Sequence, residues 1–274
     1  MTKLKSLKFL ACGDLHLNFD LLESALTHAQ EEKVDFVILT GDIANGEKLS
    51  EAAESMDFLQ QIEPIYDILN RFPLFVYFVP GNHDPCELTE LLPIRSRNKK
   101  IKSLHGTKVY HDYFCLGGIG GSHYVVPQLI GKTVPFPEGC FPELVDIPRL
   151  EHLYTLSQKV PRYIYSGVHS MYRNTVFPCD ILITHTPPFR PQKDNHRVAS
   201  LGLMALISEF KPLINIAGHI HNPKENIETI QWNNEQSIKT TTLIRTGELA
   251  DRIVFLLTLN REKEISCTVD KIKI

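Results

Sequence analysis

Three polar residues of different chemistry, Asn82, His83 and Asp84, follow the apolar run 74–80. An amide oxygen and an imidazole nitrogen can each bind a metal ion, and an imidazole can also transfer a proton near neutral pH. A structural interpretation competes, because Asp84 followed by Pro and then Glu87 is typical of a helix N-cap with a capping box. The triplet alone therefore leaves open which of its side chains would touch a metal.

Residues of the same kind recur at four other places, each at or directly after the end of an apolar run. Ligands of open α/β sheets bind beyond the carboxyl ends of the parallel strands, so residues at those ends can converge on one site. A lone Asp or His at a strand end is more often a turn residue or a packing residue. The evidence for a shared site is that such residues occur at all five strand ends. Carboxylate, amide and imidazole ligands in combination suit divalent Mn, Fe, Zn or Co. The candidates are Asp14, His16, Asp42, Asn82, His83, His185, His219 and His221.

The elements that would position these residues alternate between strand and helix patterns. Apolar strand candidates cover 7–12, 34–40 and 74–80, with helical periodicity after the first two. Two more candidates, 180–185 and 213–219, flank another helical pattern. Alternation of this kind predicts βαβ units and a parallel sheet.

Short β-like segments without intervening helices begin at about residue 227. We expect them to pair antiparallel and to form, with 107–120, a second sheet that stacks on the first. The predicted fold class is therefore α/β, with two packed mixed β-sheets flanked by helices in a four-layer αββα sandwich. We expect one domain over 1–274, in which the proline-rich stretch 121–178 is a lid or substrate-loop insertion.

Composition and charge limit the classes of partner. Hydrophobic residues make up 43% of the chain, charged residues 22%, and the net charge is −3 with His neutral. This balance predicts no general attraction to nucleic acid or to an anionic membrane. The sequence shows neither an apolar run of about 18 residues nor the unbroken apolar core of a signal peptide. None of the six cysteines forms a C-x-x-C pair, so we expect reduced thiols and a cytoplasmic protein.

In their order along the chain, the motifs GDLH, GD, GNHD, TH and GHIH resemble those of the calcineurin-like metallophosphoesterases. The resemblance extends from about residue 7 to residue 225. The motifs GGIGGS and THTPPF are most similar to the subgroup that includes class III cyclic-nucleotide phosphodiesterases. The resemblance implies a centre with two divalent metal ions, drawn from Mn, Fe, Zn and Co.

The resemblance also implies a role for each candidate. Asp42 would bridge the two ions, and His83 would be the general acid that protonates the leaving oxygen after attack by a metal-activated hydroxide. His123 and Arg197, which follow GGIGGS and THTPPF, could touch the substrate. The implied ligands are Asp14, His16 and His221 for the first ion and Asn82, His185 and His219 for the second.

The expected function is hydrolysis of small phosphodiesters, cyclic nucleotides among them, by a metal-dependent phosphoric ester hydrolase. A phosphomonoesterase, including a protein phosphatase, and a nuclease stay open as alternatives, because a two-metal core grips only the phosphate. A nuclease is less favoured, since the net charge predicts no large basic surface. A catalytically silent scaffold is least favoured, because all the ligand positions and His83 are present. The native metals and the oligomeric state are not encoded in these motifs.

Overall fold

A computed structural model describes residues 5–45, 56–85, 88–95, 100–122, 171–190, 193–194, 198–234, 237–261 and 265–274. Within these residues two six-stranded sheets form. In spatial order the first sheet contains β12 (Ile265–Lys273), β11 (Ile253–Arg261), β1 (Lys5–Cys12), β2 (Phe36–Leu39), β3 (Phe75–Phe78) and β4 (Ile101–Ser103). The second contains β5 (Thr107–His111), β6 (Phe114–Ile119), β7 (Ile181–Thr184), β8 (Ile214–Ala217), β10 (Ser237–Arg245) and β9 (Ile227–Asn234). The described helices are α1 (Phe19–Glu31), α2 (Met56–Arg71), α3 (Leu88–Arg95) and α4 (Leu201–Phe210).

Alternation of side chains along the strands builds the layers, because successive residues of a strand point to opposite faces. Phe9 of β1 packs between the sheets against strands such as β7, through Ile183. Its neighbour Leu10 faces the other way and packs with Leu22 of α1. On the outer face of the second sheet, Leu182 packs with Leu206 of α4. The predicted α/β sandwich of two mixed sheets flanked by helices is confirmed.

The C-terminal strands follow the expectation only in part, because β9 pairs antiparallel with β10 and β11 with β12, but their other neighbours differ. β10 runs parallel to β8, and only its other neighbour, β9, is antiparallel. β11 and β12 belong to the first sheet, because β11 pairs antiparallel with β1. A strand such as β11, buried on both faces from Val254 to Leu257, needs neighbours on both sides, but its sequence does not say which strands they are.

The stretch 121–178 is described only at its two ends. Tyr172, Val176 and Phe177 are buried against the outer face of the second sheet, with α4. Residues 123–170 lie outside the described part of the chain, so the lid or substrate-loop interpretation stays a prediction. Among the described helices, none is long and apolar enough to cross a membrane.

Candidate metal centre

Backbone hydrogen bonds bring together the loops that follow the parallel strands. The N–H of Asp14, after β1, donates to the Gly41 carbonyl after β2 at 3.2 Å, and the N–H of His16 donates to the Asp42 carbonyl at 2.8 Å. The N–H of Gly121, after β6, donates to the carbonyl of Pro80, after β3, at 2.8 Å. These bonds link the strand ends of both sheets, and all the predicted ligands lie beyond those ends.

The carboxylate of Asp42 lies at the centre of this edge and is buried. Its Oδ2 atom lies 3.8 Å from Nε2 of His16 and 3.5 Å from Nε2 of His185. Two groups of side chains with spacing suited to a metal ion share it, one with His16 and His221, the other with His185 and His219. One carboxylate oxygen therefore faces both candidate sites.

The first candidate site has an unsatisfied oxygen at its base. Oδ1 of the buried Asp14 accepts the backbone N–H of His219 at 3.1 Å, but within the described part of the chain Oδ2 has no hydrogen-bond partner. That oxygen lies 3.9 Å from Nε2 of His221, which in turn lies 3.2 Å from Nε2 of His16. A buried carboxylate oxygen without a donor costs free energy, and a cation here would offset that cost.

In the second candidate site two acceptor atoms face each other. Nδ1 of His185 lies 2.8 Å from the Thr40 carbonyl, which can only accept, so Nδ1 carries the proton. Nε2 then has a free lone pair, yet it lies 2.9 Å from Oδ1 of Asn82, another acceptor. Protonation of both nitrogens would resolve the conflict, but burial lowers the pKa of His185. A metal ion bound by both atoms suits this donor set.

The electrostatics of the site favour cation binding as a whole. Burial raises the pKa of Asp14 well above its usual value, and the neighbouring Asp42 carboxylate raises it further. Burial also lowers the pKa of His16 to about 4, so its imidazole is neutral at neutral pH. Crowded carboxylates beside neutral imidazoles are the arrangement that divalent cations stabilise.

The backbone at the site is held in an unusual conformation. Asp14, His16, Asp42 and His219 have positive φ angles of 46°, 46°, 48° and 68°. This left-handed region is uncommon for residues other than glycine, and such strain clusters at functional sites. The positive φ angles aim successive side chains at one point, which an apolar strand pattern does not predict.

His83 lies beside the first site, outside the two groups of side chains whose spacing suits a metal ion. Its backbone N–H donates to Oδ1 of Asp42 at 2.8 Å, and its ring meets that of His16 edge-on, with centroids 4.8 Å apart. Its Nδ1 is buried, with no hydrogen-bond partner among the described residues. His83 is therefore anchored through its backbone, and its Nδ1 is left without a partner in the part of the chain that the structure describes.

The buried carboxylate of Asp84 accepts the backbone N–H groups of Ala44 at 2.7 Å and Gly81 at 2.8 Å. Asp84 thus joins the loops that carry Asp42 and Asn82. Residues 86–87, whose N–H groups an N-cap at Asp84 would bind, lie outside the described residues, so the capping-box interpretation stays a prediction.

The loop after His185 is held by buried ion pairs. Arg190 donates to Asp194 at 3.0 Å and pairs with Glu228, and Arg245 of β10 donates to both oxygens of Asp194 at 2.8 and 2.6 Å. Arg190 is therefore engaged in ion pairs rather than exposed to solvent. The two predicted substrate contacts, His123 and Arg197, lie outside the described residues.

Sequence reasoning missed a sixth strand end. Because β10 runs parallel to β8, its final residues reach the same edge as the ligands. Oγ1 of Thr246 lies 3.1 Å from Oγ1 of Thr40, and Glu248 follows two residues later, with Oε2 3.4 Å from Nδ1 of His221. The polar, glycine-containing run TGE after β10 was the available signal, concealed by the assumption of antiparallel pairing. Ser122, the last residue of the motif GGIGGS at the end of β6, places Oγ 3.3 Å from Nε2 of His219.

Comparisons with known proteins agree with this geometry. The model of the family described as calcineurin-like phosphoesterase matches residues 7–223. A solved structure from Thermus thermophilus is similar, with 16% identity, a TM-score of 0.54 and coverage of 96% of this chain and 99% of that chain. A dimetal phosphatase from Danio rerio is similar at 14% identity and a TM-score of 0.53, covering 96% and 98%. At these identities the structural likeness shows the fold. A comparison with curated protein sequences gave no match.

Proposed function

Because the chain belongs to the calcineurin-like phosphoesterase family, we propose that it is a two-metal phosphodiesterase that hydrolyses small phosphodiesters. The family makes it a metal-dependent phosphoric ester hydrolase. The observation that carries the proposal is the position of Asp42 Oδ2 between the two groups of candidate ligands. This oxygen lies 3.8 Å from Nε2 of His16 in the first group and 3.5 Å from Nε2 of His185 in the second. A single bridging carboxylate of this kind suits two ions that act on one phosphate.

In this proposal each ion has three residues of its own besides Asp42. When bound, the two divalent ions would supply Lewis acidity, polarising the phosphoryl oxygens and lowering the pKa of water. The protein residues hold the ligand atoms at one point, with Thr40 setting the tautomer of His185. The first ion would be bound by Asp14, His16 and His221, and the second by Asn82, His185 and His219.

His83 is the proposed general acid. Its backbone is fixed to Asp42 at 2.8 Å, and its imidazole lies beside His16 without a ligand's role. An imidazolium in that position can hydrogen-bond a phosphoryl oxygen and then give its proton to the leaving oxygen. Asp84 supports this arrangement indirectly, because it holds the N–H of Gly81, two residues before His83.

The charge of the site favours a diester over a monoester. Two divalent cations and the imidazolium of His83, set against Asp14, Asp42, the nearby Glu248 and the attacking hydroxide, leave a formal charge of about one. A phosphodiester carries a single negative charge, whereas a phosphomonoester carries nearly two at neutral pH. Arg190 and Arg245, which could have balanced a second charge, are paired with Asp194. The motifs GGIGGS and THTPPF make cyclic nucleotides the first diesters to examine.

We expect the metal-depleted protein, reconstituted with Mn, to hydrolyse bis-p-nitrophenyl phosphate faster than p-nitrophenyl phosphate. Faster hydrolysis of the monoester would replace this proposal with a phosphomonoesterase. Without Mn-dependent hydrolysis of either compound, the chain would be a scaffold that kept the fold without the chemistry. Hydrolysis of oligonucleotides at low salt would favour a nuclease.

The proposed partner is a small-molecule phosphoester, and the proposed compartment is the cytoplasm. The described cysteines are all free, and Cys12, Cys115 and Cys179 are buried. Buried free thiols are usual in a reducing compartment. Cell fractionation followed by detection of the protein in the cytoplasmic fraction would test this address.

A further inference from the structure

The turn after β10 is bound to two loops that carry candidate ligands. The N–H of Glu248 donates to the carbonyl of His221 at 3.2 Å, and the N–H of Leu249 donates to the carbonyl of Asp14 at 3.3 Å. The N–H of Thr246, at the start of the same turn, donates to the carbonyl of Ala217 at 2.9 Å. The turn 246–249 is therefore held against the ligands of the first site by its backbone.

Gly247 permits this close approach. Its φ is +72°, and a Cβ atom there would lie 3.1 Å from the carbonyl oxygen of His221. A side chain would be strained in this backbone conformation and would crowd the carbonyl. The glycine thus lets the backbone carry the Glu248 side chain up to the His221 ring.

The two nitrogens of His221 face different partners. Nδ1 lies 3.4 Å from Oε2 of Glu248. Nε2 lies on the other side of the ring, 3.2 Å from Nε2 of His16 and 3.9 Å from Oδ2 of Asp14. A carboxylate can only accept from Nδ1, whereas the inner nitrogen faces the first candidate site.

We propose that Glu248 is a positioning residue that keeps the proton of His221 on Nδ1, so that the Nε2 lone pair is free for the first ion. The inference rests on the proposed function because it needs that ion. A carboxylate behind a ligating imidazole orients the ring and raises its basicity.

The arrangement makes the two sites unequal. The imidazole of His185 is held from behind by a neutral acceptor, the carbonyl of Thr40, at 2.8 Å. Nδ1 of His221 faces a charged acceptor at 3.4 Å and the side chain is 40% exposed, whereas that of His185 is fully buried. The first ion should therefore depend on Glu248, while the second ion should not.

The test is a Mn titration of metal-free wild-type protein, Glu248→Ala and Glu248→Gln, with bound and free Mn measured by electron paramagnetic resonance. We expect Glu248→Ala to weaken one of the two binding steps by about 10-fold to 100-fold and to leave the other unchanged. Glu248→Gln keeps an oxygen acceptor and should recover part of the loss. Asp251→Asn, an exposed change in the adjacent 3₁₀ turn, is the matched control and should bind as wild type.

A second readout reports on His221 directly. Nitrogen-15 NMR of the metal-free proteins should show the Nδ1–H tautomer of His221 in the wild type and a shift towards Nε2–H in Glu248→Ala. If both Mn steps and the tautomer are unchanged in Glu248→Ala, the inference is wrong while the two-metal proposal stands. If the wild type itself binds no Mn, the proposed function and this inference both fail.

Discussion

At the scale of single residues, three neighbours in the chain carry three different tasks. Oδ1 of Asn82 faces His185 at 2.9 Å, the ring of His83 stands beside His16, and Asp84 accepts backbone N–H groups of two loops. Their order is suited to these tasks, because a sharp turn points consecutive side chains in different directions. A change at each of the three should therefore affect a different property.

Replacing His83 by Ala should lower kcat by about 10²-fold to 10⁴-fold, because the leaving oxygen would lose its proton donor. The metal content should stay at the wild-type value, which elemental analysis of the same preparation would measure. The deficit should be larger for a diester with a poor leaving group than for one with p-nitrophenol. Loss of metal from the variant would show that His83 is a ligand and that the assignment is wrong.

Asp42 differs from the other candidate ligands because its carboxylate faces both sites. We expect Asp42→Asn to weaken binding of both ions, because it removes a negative charge that faces both sites, at 3.8 and 3.5 Å from their imidazoles. Asn82→Ala should weaken only the second ion, since its oxygen lies against His185. Calorimetric Mn titrations of the two variants would check this. If Asn82→Ala weakened the binding of both ions as Asp42→Asn does, the division into two sites would be contradicted.

The convergence of the candidate ligands could be predicted from the sequence, but the residues that support them could not. Asp14, Asn82 and His219 lie just beyond apolar runs, and the strand-end rule brings such residues together. Asp84 binds the backbone of Ala44, which is distant in the sequence, and Glu248 lies against the ring of His221. No local pattern reports which backbone group or imidazole such a side chain will meet.

At the scale of elements, the approach of the loops depends on glycine at the strand ends. A Cβ atom on Gly81 would lie 2.1 Å from Oδ1 of Asp42 and 2.4 Å from its backbone nitrogen. Gly41 adopts a φ of +103° and is similarly close to the backbone of Gly81. The loops after β2 and β3 can therefore touch only where neither carries a side chain.

We expect Gly81→Ala to displace Asp42, to abolish binding of both ions and to destabilise the fold by about 1–3 kcal/mol. Gly81 is not in the left-handed region, so the effect would come from the clash alone. Gly106→Ala is the matched control, because its φ is +69° but its Cβ would have space, 3.6 Å from the nearest atom. That variant should lose about 1–2 kcal/mol through strain and keep both ions. Chemical denaturation would measure the loss of stability in each variant, and metal analysis would show which variant still binds both ions.

The architecture could be predicted further than the connectivity of its strands. Apolar runs such as 34–40 and 213–219 mark strands and their ends because burial leaves a direct trace in the sequence. The sequence says less about which strands pair with each other. β10 follows β9 without an intervening helix, as in a hairpin, yet one edge pairs antiparallel with β9 and the other parallel with β8. That parallel edge is what brings Glu248 to the site.

At the scale of the whole molecule, metal binding should be coupled to pH through the carboxylates. Burial and the neighbouring Asp42 raise the pKa of Asp14 in the metal-free protein, so Asp14 holds its proton to a higher pH than a free carboxyl group and an ion competes with that proton. His16, with a pKa of about 4, is already neutral above that pH, and burial also lowers the pKa of His185. The affinity for Mn should therefore increase with pH through the range in which Asp14 loses its proton.

Calorimetry at about pH 6, in buffers with different ionisation enthalpies, would count the protons released on binding. We expect a net release in the wild type and a smaller release in Asp14→Asn. The thermal stabilisation given by Mn should grow with pH in the same direction as the affinity. An affinity independent of pH would show that Asp14 is already ionised in the metal-free protein.

The position of β1 in the first sheet also has a consequence for the order of folding. β1 pairs on one side with β2, its neighbour in the chain, and on the other with β11, so that Phe9 lies opposite Leu257. During synthesis on a ribosome, the strands from β2 to β10 are all made before β11 can pair with β1. Asp14 and His16 follow β1 directly, whereas Glu248 lies in the turn after β10 and is made much later. The first ion can therefore find a complete set of ligands and supporting residues only after both β10 and the turn that follows it have been made, which places metal loading after the synthesis of most strands of both sheets.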